Sequence, residues 1–285
     1  MDFGMETYDG LTTKDFAFPE LKQSILPGQK ITTPHLYIGL PKWGRTDWVG
    51  TLYPPMTKEK EFLDHYVQHF NSIELNATHF KIHSKETIKK WIDKAGDKDF
   101  KFCPKMYQGV THRGSLLRKE LALYEFFESI DAFEKHLGPV FIQMSEAFSP
   151  KRKTELFEFL KKLPPKFRCF LELRHKDWFS DPYILEELFQ NLKELNIGFV
   201  ITDTPGRRDI VHMKLSIPTS FIRFGCYGDN ELDNYRIEQW KHQLQQWYQH
   251  GLESSYFFLH IRNEEKAIDF AKFVQEQLNQ MFLSC

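Results

Sequence analysis

The segment RCFLELR, residues 168–174, places Phe170, Glu172 and Arg174 on one side of an extended chain and Leu171 and Leu173 on the other. Successive side chains of a strand point to opposite faces, so this run reads as a β-strand with one apolar face and one that turns charged toward its C-terminal end. The apolar pair suits packing against helices, which directs Glu172 and Arg174 inward. After it comes PYILEELFQNLKEL, residues 182–195, whose apolar positions recur at helical spacing.

The same strand-then-helix unit recurs on both sides. Upstream stand HLYIGL (35–40) with MTKEKEFLDHYVQHF (56–70), SIELN (72–76) with SKETIKKWIDKA (84–95), FKFCPK (100–105) with LRKELALYEFFESIDAFEKH (117–136), and PVFIQM (139–144) with KTELFEFLKKL (153–163). Downstream come IGFVITD (197–203) with a shorter segment over 209–215, FIRFG (221–225) with IEQWKHQLQQWYQH (237–250), and YFFLHI (256–261) with NEEKAIDFAKFVQEQL (263–278). Eight such units predict a parallel sheet with crossover helices, and their number predicts an α/β fold closed as a single (β/α)8 TIM-like barrel. An open doubly wound sheet gives similar alternation, but the GxGxxG fingerprint after its first strand is absent. Residues 1–33, punctuated by Pro19, Pro27 and Gly28, read as an N-terminal extension packed on the barrel of residues 34–285.

Bulk properties agree with one large core. A barrel takes about 250 residues, close to the 285 here, and 27 Phe among 15% aromatic residues imply a well-filled interior. With 38 basic and 39 acidic residues the formal charge is −1, so no global field favours polyanions, and any anion site must be local. Cys103, Cys169, Cys226 and Cys285 are widely spaced without CxxC pairing, and read as free thiols of a cytoplasmic protein. No signal sequence and no run of 18 apolar residues appears, which argues against secretion and membrane spanning.

Strand parity then gathers polar residues at one end. Glu74 and Asn76 share a face on the second strand, Cys103 and Lys105 on the third, Phe141 and Gln143 on the fourth. On the sixth, Phe199, Ile201 and Asp203 align; on the seventh, Phe221, Arg223 and Gly225; on the eighth, Tyr256, Phe258 and His260. Charged side chains are seldom fully buried unless paired, and so many converging at strand C-terminal ends predict a functional face.

Glu74, Glu172 and Asp203 are the candidate acid/base groups. Lys105, Arg174 and Arg223 are candidates to clamp an anion, with Asn76, Gln143 and His260 orienting it and His112 and His175 in adjoining loops. Trp43 and Trp178 are candidates to cover or stack a ligand, whereas Trp48 and Tyr53 read as a packed lid. Three carboxylates with an imidazole also admit a divalent metal, although three neighbouring cations leave little net charge to hold it, and no cofactor is predicted. The basic run Lys151–Lys153 lacks aromatic interleaving and makes a poor nucleic-acid signature.

IGLPKWGRTDWVGTLYP (38–54), HFNSIELNATHF (69–80), FKFCPKMYQGVTH (100–112), LGPVFIQM (137–144), ELRHKDWF (172–179) and ITD (201–203) resemble, in order, the successive motifs of the YecE-like family, domain of unknown function 72. The resemblance implies a TIM-like barrel and supplies no reaction. FIRFGCYGDN keeps the family's Arg at Arg223 without the His-Gly that often follows, and FFLHIRNEE carries His260, Arg262 and Asn263 where Phe-Asn-Asn-Asp is usual.

The residues therefore predict an enzyme of hydrolase or lyase/isomerase type acting on a small anionic substrate, phosphorylated or sugar-containing, by general acid/base chemistry. A metal-dependent hydrolase or nuclease and a non-catalytic ligand-binding barrel are the alternatives.

Overall fold

The computed structural model describes residues 10–19, 25–228 and 231–282. Its strands are β1 (His35–Leu40), β2 (Ser72–Leu75), β3 (Lys101–Pro104), β4 (Val140–Gln143), β5 (Cys169–Glu172), β6 (Gly198–Phe199), β7 (Ile201–Asp203), β8 (Thr219–Cys226) and β9 (Ser254–Ile261). Every pairing is parallel, as crossover helices require. The fold is α/β.

The eight alternating units predict one continuous sheet; the hydrogen bonds divide it into two. One sheet has the order β3-β2-β1-β9-β8-β7 and the other β4-β5-β6. Between β3 and β4 stand only two isolated parallel bridges, Phe102 with Leu137 and Lys105 with Phe141, where Pro139 at the entry to β4 has no N–H to give. At the other junction Val200 separates β6 from β7. Its N–H bonds back to Leu171 O (2.9 Å), while Ile201 to Asp203 pair with β8.

The principal helices are α1 (Phe62–His69), α3 (Lys85–Ala95), α5 (Glu120–Ile130), α6 (Lys153–Leu160), α8 (Pro182–Glu194), α9 (Glu231–Gln249) and α10 (Ala267–Asn279). Side-chain caps start two of them: Ser84 accepts from Thr87 N (3.3 Å) before α3, and Asp181 from Tyr183 N (2.9 Å) before α8, where Pro182 takes the first helical position. Residues 209–215 form no helix beyond a short 3-10 turn at Arg208–Ile210. Three single turns that the periodicity does not signal follow strand ends: α2 (Ala77–Phe80), α4 (Gln108–Thr111) and α7 (Asp177–Ser180).

Apolar side chains form two layers. The larger lies between strands and helices. The smaller covers the inner faces, where Tyr37, Cys103, Phe141, Phe170, Val200, Phe221, Tyr256 and Phe258 meet. Phe221 packs on Phe141 (5.3 Å), Phe170 (5.5 Å) and Phe258 (5.0 Å), tying the two sheets together beneath the polar strand ends.

Parity holds on most strands and fails on the sixth. Val200 lies in the inner layer while Phe199 and Ile201 lie in the outer one, so Thr202, and not Asp203, takes the inward position. Gly198 is the physical reason: a Cβ there would stand 2.1 Å from the Phe170 ring, so the inner-facing site next to that ring has no room for a side chain. The inward set is therefore Gly198, Val200, Thr202.

Cys103, Cys169 and Cys226 are buried free thiols, and Cys285 lies outside the described residues. Of the expected extension, residues 1–9 and 20–24 also lie outside them. Within the described part Phe16 is fully buried, its ring against the guanidinium groups of Arg208 (5.1 Å) and Arg236 (5.0 Å), and Phe18 packs on Trp240 (4.7 Å). No helix among the described residues is long and apolar enough to cross a membrane.

Candidate functional site

At the C-terminal ends of the strands a continuous polar network rests on the aromatic floor. Arg223, from β8, is its hub. Its Nε and Nη2 donate to Glu74 Oε2 (2.8 Å) and Oε1 (2.9 Å), and its Nη1 donates to both oxygens of Glu172 (2.9 and 2.8 Å). The guanidinium lies over the Phe141 ring at 5.2 Å. Such a planar fork matches two carboxylates at once in a way a lysine does not.

Around the hub, Arg174 Nε and Thr202 Oγ1 donate to Glu172 Oε1 (2.9 and 3.2 Å), and Gln143 Nε2 donates to Glu172 Oε2 (2.8 Å). Lys105 Nζ donates to Gln143 Oε1 (2.7 Å), which fixes that amide's orientation. On the other side Asn76 Nδ2 donates to Glu74 Oε1 (2.9 Å), and His260 Nε2 bonds Glu74 Oε2 (2.9 Å). A carboxylate only accepts, so the imidazole carries its proton on Nε2. Glu74, Lys105 and Glu172 have no exposed surface, Arg223 has 1% and Arg174 7%.

Burial opposes charge on both carboxyls, yet the cations prevail. Arg223 and then His260 hold Glu74 well below the usual carboxylate range, and Arg223, Arg174 and Lys105 hold Glu172 at about 2. Burial and the nearby Arg223 guanidinium, against the pull of both carboxylates, bring Lys105 down to about 8. Burial also lowers His260, against the pull of Glu74, so its imidazole is neutral near pH 7.

Eight of the residues singled out in the sequence thus meet: Glu74, Asn76, Lys105, Gln143, Glu172, Arg174, Arg223 and His260. The remaining five do not join them. Asp203 faces the helices, where Arg236 Nη2 (2.8 Å), Trp240 Nε1 (2.7 Å) and Arg208 bond its carboxylate, and Arg236 also bonds Asp233 (3.1 Å). It anchors α9 to the strand end, and its place as an acid/base candidate is corrected by the one-residue shift in parity. Trp178 is fully buried, donates to Phe148 O (2.7 Å) and is a core residue. Trp43 packs edge-on against Trp91 (5.7 Å). His175 Nδ1 accepts from Asp177 N (3.2 Å) in its own loop.

His112 stands at the solvent-facing rim, bonded to Thr111 Oγ1 (2.7 Å) and edge-on to His79 (4.8 Å). Desolvation, then Lys105 and Arg174, lower its pKa. Two further residues belong to the site. Thr202 was hidden by the parity shift, and Arg207, whose Nη2 donates to Arg174 O (2.7 Å), lies in a loop without periodicity. Gly198 opposite Phe170 was the available signal for the first.

Arg223 stands between Glu74 and Glu172 and uses both, and among the described residues no three His, Cys, Asp or Glu side chains gather as a metal-binding group.

The family model described as "Protein of unknown function DUF72" matches residues 37–284. The chain is 26% identical over 263 residues to the UPF0759 protein YecE of Escherichia coli (strain K12), covering 86% of this chain and 93% of that one. It is 31% identical over 163 residues to the UPF0759 protein YunF of Bacillus subtilis (strain 168), covering 54% and 55%. Among solved structures, a DUF72 family protein of Enterococcus faecalis V583 superposes with TM-score 0.66 at 20% identity, covering 87% of this chain and 98% of that one. One of Thermotoga maritima MSB8 does so with TM-score 0.63 at 21% identity, covering 86% and 99%.

Proposed function

Since this chain belongs to the DUF72 family, whose description assigns no reaction, we propose from the site itself that it binds a small anionic substrate at the strand ends and moves a proton on it. We read the two sheets as arcs of one (β/α)8 barrel, with the network in its mouth, where barrels of this kind place their chemistry. The carrying observation is the convergence of cations at the strand ends. With Asp203 turned outward, the described network holds three cations, Lys105, Arg174 and Arg223, against two carboxylates, Glu74 and Glu172. Cations gathered in a site with little access to water make an anion there worth more than it is in bulk solvent.

Within this reading Arg223 positions and Arg174 with Lys105 receive the anion. Glu74 and Glu172 are held as permanent anions and make poor proton carriers. The proton-moving role passes to neutral His260, oriented by Glu74, and to Lys105, whose pKa of about 8 lies near physiological pH. Such groups serve hydrolase or lyase/isomerase chemistry. The buried thiols fit a reducing cytoplasm, and the neutral overall charge does not favour nucleic acid.

Titration calorimetry with inorganic phosphate and with acetate tests the reading, using Arg174→Gln because its guanidinium is the least buried of the three cations. Loss of a charge-assisted hydrogen bond, about 1.5–3 kcal/mol, weakens binding by about 10-fold or more. Equal affinity in Arg174→Gln, or no anion binding by the parent, rejects it.

A further inference from the structure

Beside His260 a cavity of about 470 Å³ opens between the ends of β1 and β9 and the start of α10. Its walls include Leu40, Trp48, Asn76, Leu259, His260 and Ala267. The size falls within the range of about 300–1,000 Å³ typical of small-molecule sites, and so does the mixture of apolar walls with a few polar groups. We propose that this cavity is a subsite for a hydroxyl-bearing ring, so that the ligand of the strand-end network is a sugar carrying a phosphate or carboxylate group. The proposal rests on the anion reading above and adds the rest of the molecule.

Two polar groups specify the hydroxyl. Trp48 is 2% exposed, yet its indole N–H finds no acceptor among the described residues. A buried donor left unsatisfied costs about 1–3 kcal/mol, which a ligand oxygen removes. Asn76 uses its amide NH2 on Glu74 Oε1 (2.9 Å) and Pro41 O (3.3 Å), so toward a ligand it presents its carbonyl oxygen. These two groups give the cavity one donor and one acceptor, beside the charged Lys42, Arg262 and Glu264 and the imidazole of His260 that also line it. A hydroxyl is the small group that accepts from the first and donates to the second.

The apolar walls favour a sugar over a nucleobase. Leu40, Leu259 and Ala267 suit the C–H faces of a saturated ring, and Phe80, 60% exposed, adds an aromatic face at the edge. Trp48 meets the cavity as part of a buried wall, tilted against Tyr53 at 6.1 Å, and not as an open plate on which a base would stack. His260 and Asn76 belong to both cavity and network. Both bond Glu74, which Arg223 ties to Glu172, so the cavity adjoins the strand-end network at His260 and Asn76.

The test is calorimetric binding of inorganic phosphate, neutral ribose and glucose, ribose 5-phosphate, glucose 6-phosphate and glucuronate. The proposal expects at least one sugar phosphate or the sugar acid to bind about 10-fold or more tighter than inorganic phosphate or acetate, respectively. Phosphate against carboxylate in that panel identifies the anionic group. Ala267→Leu, which narrows the cavity, removes the gain while leaving inorganic phosphate affinity within about two-fold, and Trp48→Phe, which removes the N–H donor along with part of the ring, lowers the gain by several-fold. A gain that survives both substitutions, or a panel in which no sugar derivative exceeds its bare anion, overturns the subsite while leaving the anion reading in place. Should no anion bind, that reading fails by itself, and the neutral sugars decide the subsite: binding abolished by Ala267→Leu supports it, and none overturns it.

Discussion

Lys105 illustrates how a single buried side chain takes its properties from its neighbours. Burial and Arg223 lower its pKa to about 8, yet Glu172 and Glu74 keep it charged at neutral pH. Anion affinity should therefore fall as pH rises through about 8, when the ammonium is lost, and level off where Arg174 and Arg223 alone remain, since guanidinium groups stay charged. Lys105→Met should weaken binding at pH 7 by about 10-fold and abolish the step, leaving a flat profile from pH 7 to 9. Calorimetry across that range decides the matter. A step that persists in Lys105→Met assigns the titration to another group and removes Lys105 from the anion site. The residue types and positions of this network were visible in the sequence because strand parity puts Glu74, Lys105, Gln143, Glu172, Arg223 and His260 on one face. Who bonds whom was not, since the hub role of Arg223 depends on strands 149 and 51 residues apart in the chain.

At the level of elements the sixth strand shows where such reading stops. Parity counted from Asp203 assumed that the acid faces inward, but Gly198 beside the Phe170 ring, with Val200 and Thr202 following it inward, sets the opposite register. The rule applied to Leu171 and Leu173 already contained the answer, because Phe199 and Ile201 are likewise an apolar pair suited to helices. Asp203 is consequently a structural anchor, with Arg236 and Trp240 of α9 and Arg208 closing on it. Asp203→Asn keeps the volume and removes the charge, taking one carboxylate away from the buried Arg236, which Asp233 still bonds. Breaking one partner of a buried pair costs about 3–5 kcal/mol. Urea denaturation should show a loss of that order, while phosphate affinity of the folded protein stays unchanged, since Asp203 bonds no member of the Arg223 network. A change in affinity with no change in stability would return Asp203 to the functional site. The short turns α2, α4 and α7 were not legible either, because four residues are too few to establish a helical period.

Across the whole molecule the two ionic networks stand on opposite faces of the strands and are closed by different means. The inner one is floored by Phe141, Phe170, Phe221 and Phe258, whose abundance the 27 Phe of the sequence announced. The outer one depends on residues that polar composition marked only as an extension. Phe16, fully buried, lies against the guanidinium groups of Arg208 and Arg236, and its carbonyl accepts from Arg208 Nη2 (3.3 Å). Phe18 then packs on Trp240, a direct partner of Asp203. The chain before β1 thereby excludes water from the anchor of an element more than 200 residues downstream. Phe16→Ala should remove a large buried ring together with two cation–π contacts, a loss of about 3 kcal/mol, and lower the melting temperature by several degrees. The destabilisation should be non-additive with Asp203→Asn, because an anchor already weakened has less to gain from being kept dry. Thermal and urea unfolding of the two single variants and the double variant measure that coupling. A melting temperature unchanged in Phe16→Ala, or strictly additive losses, would mean that the extension merely lies on the surface and that Asp203, Arg236 and Trp240 hold α9 without it.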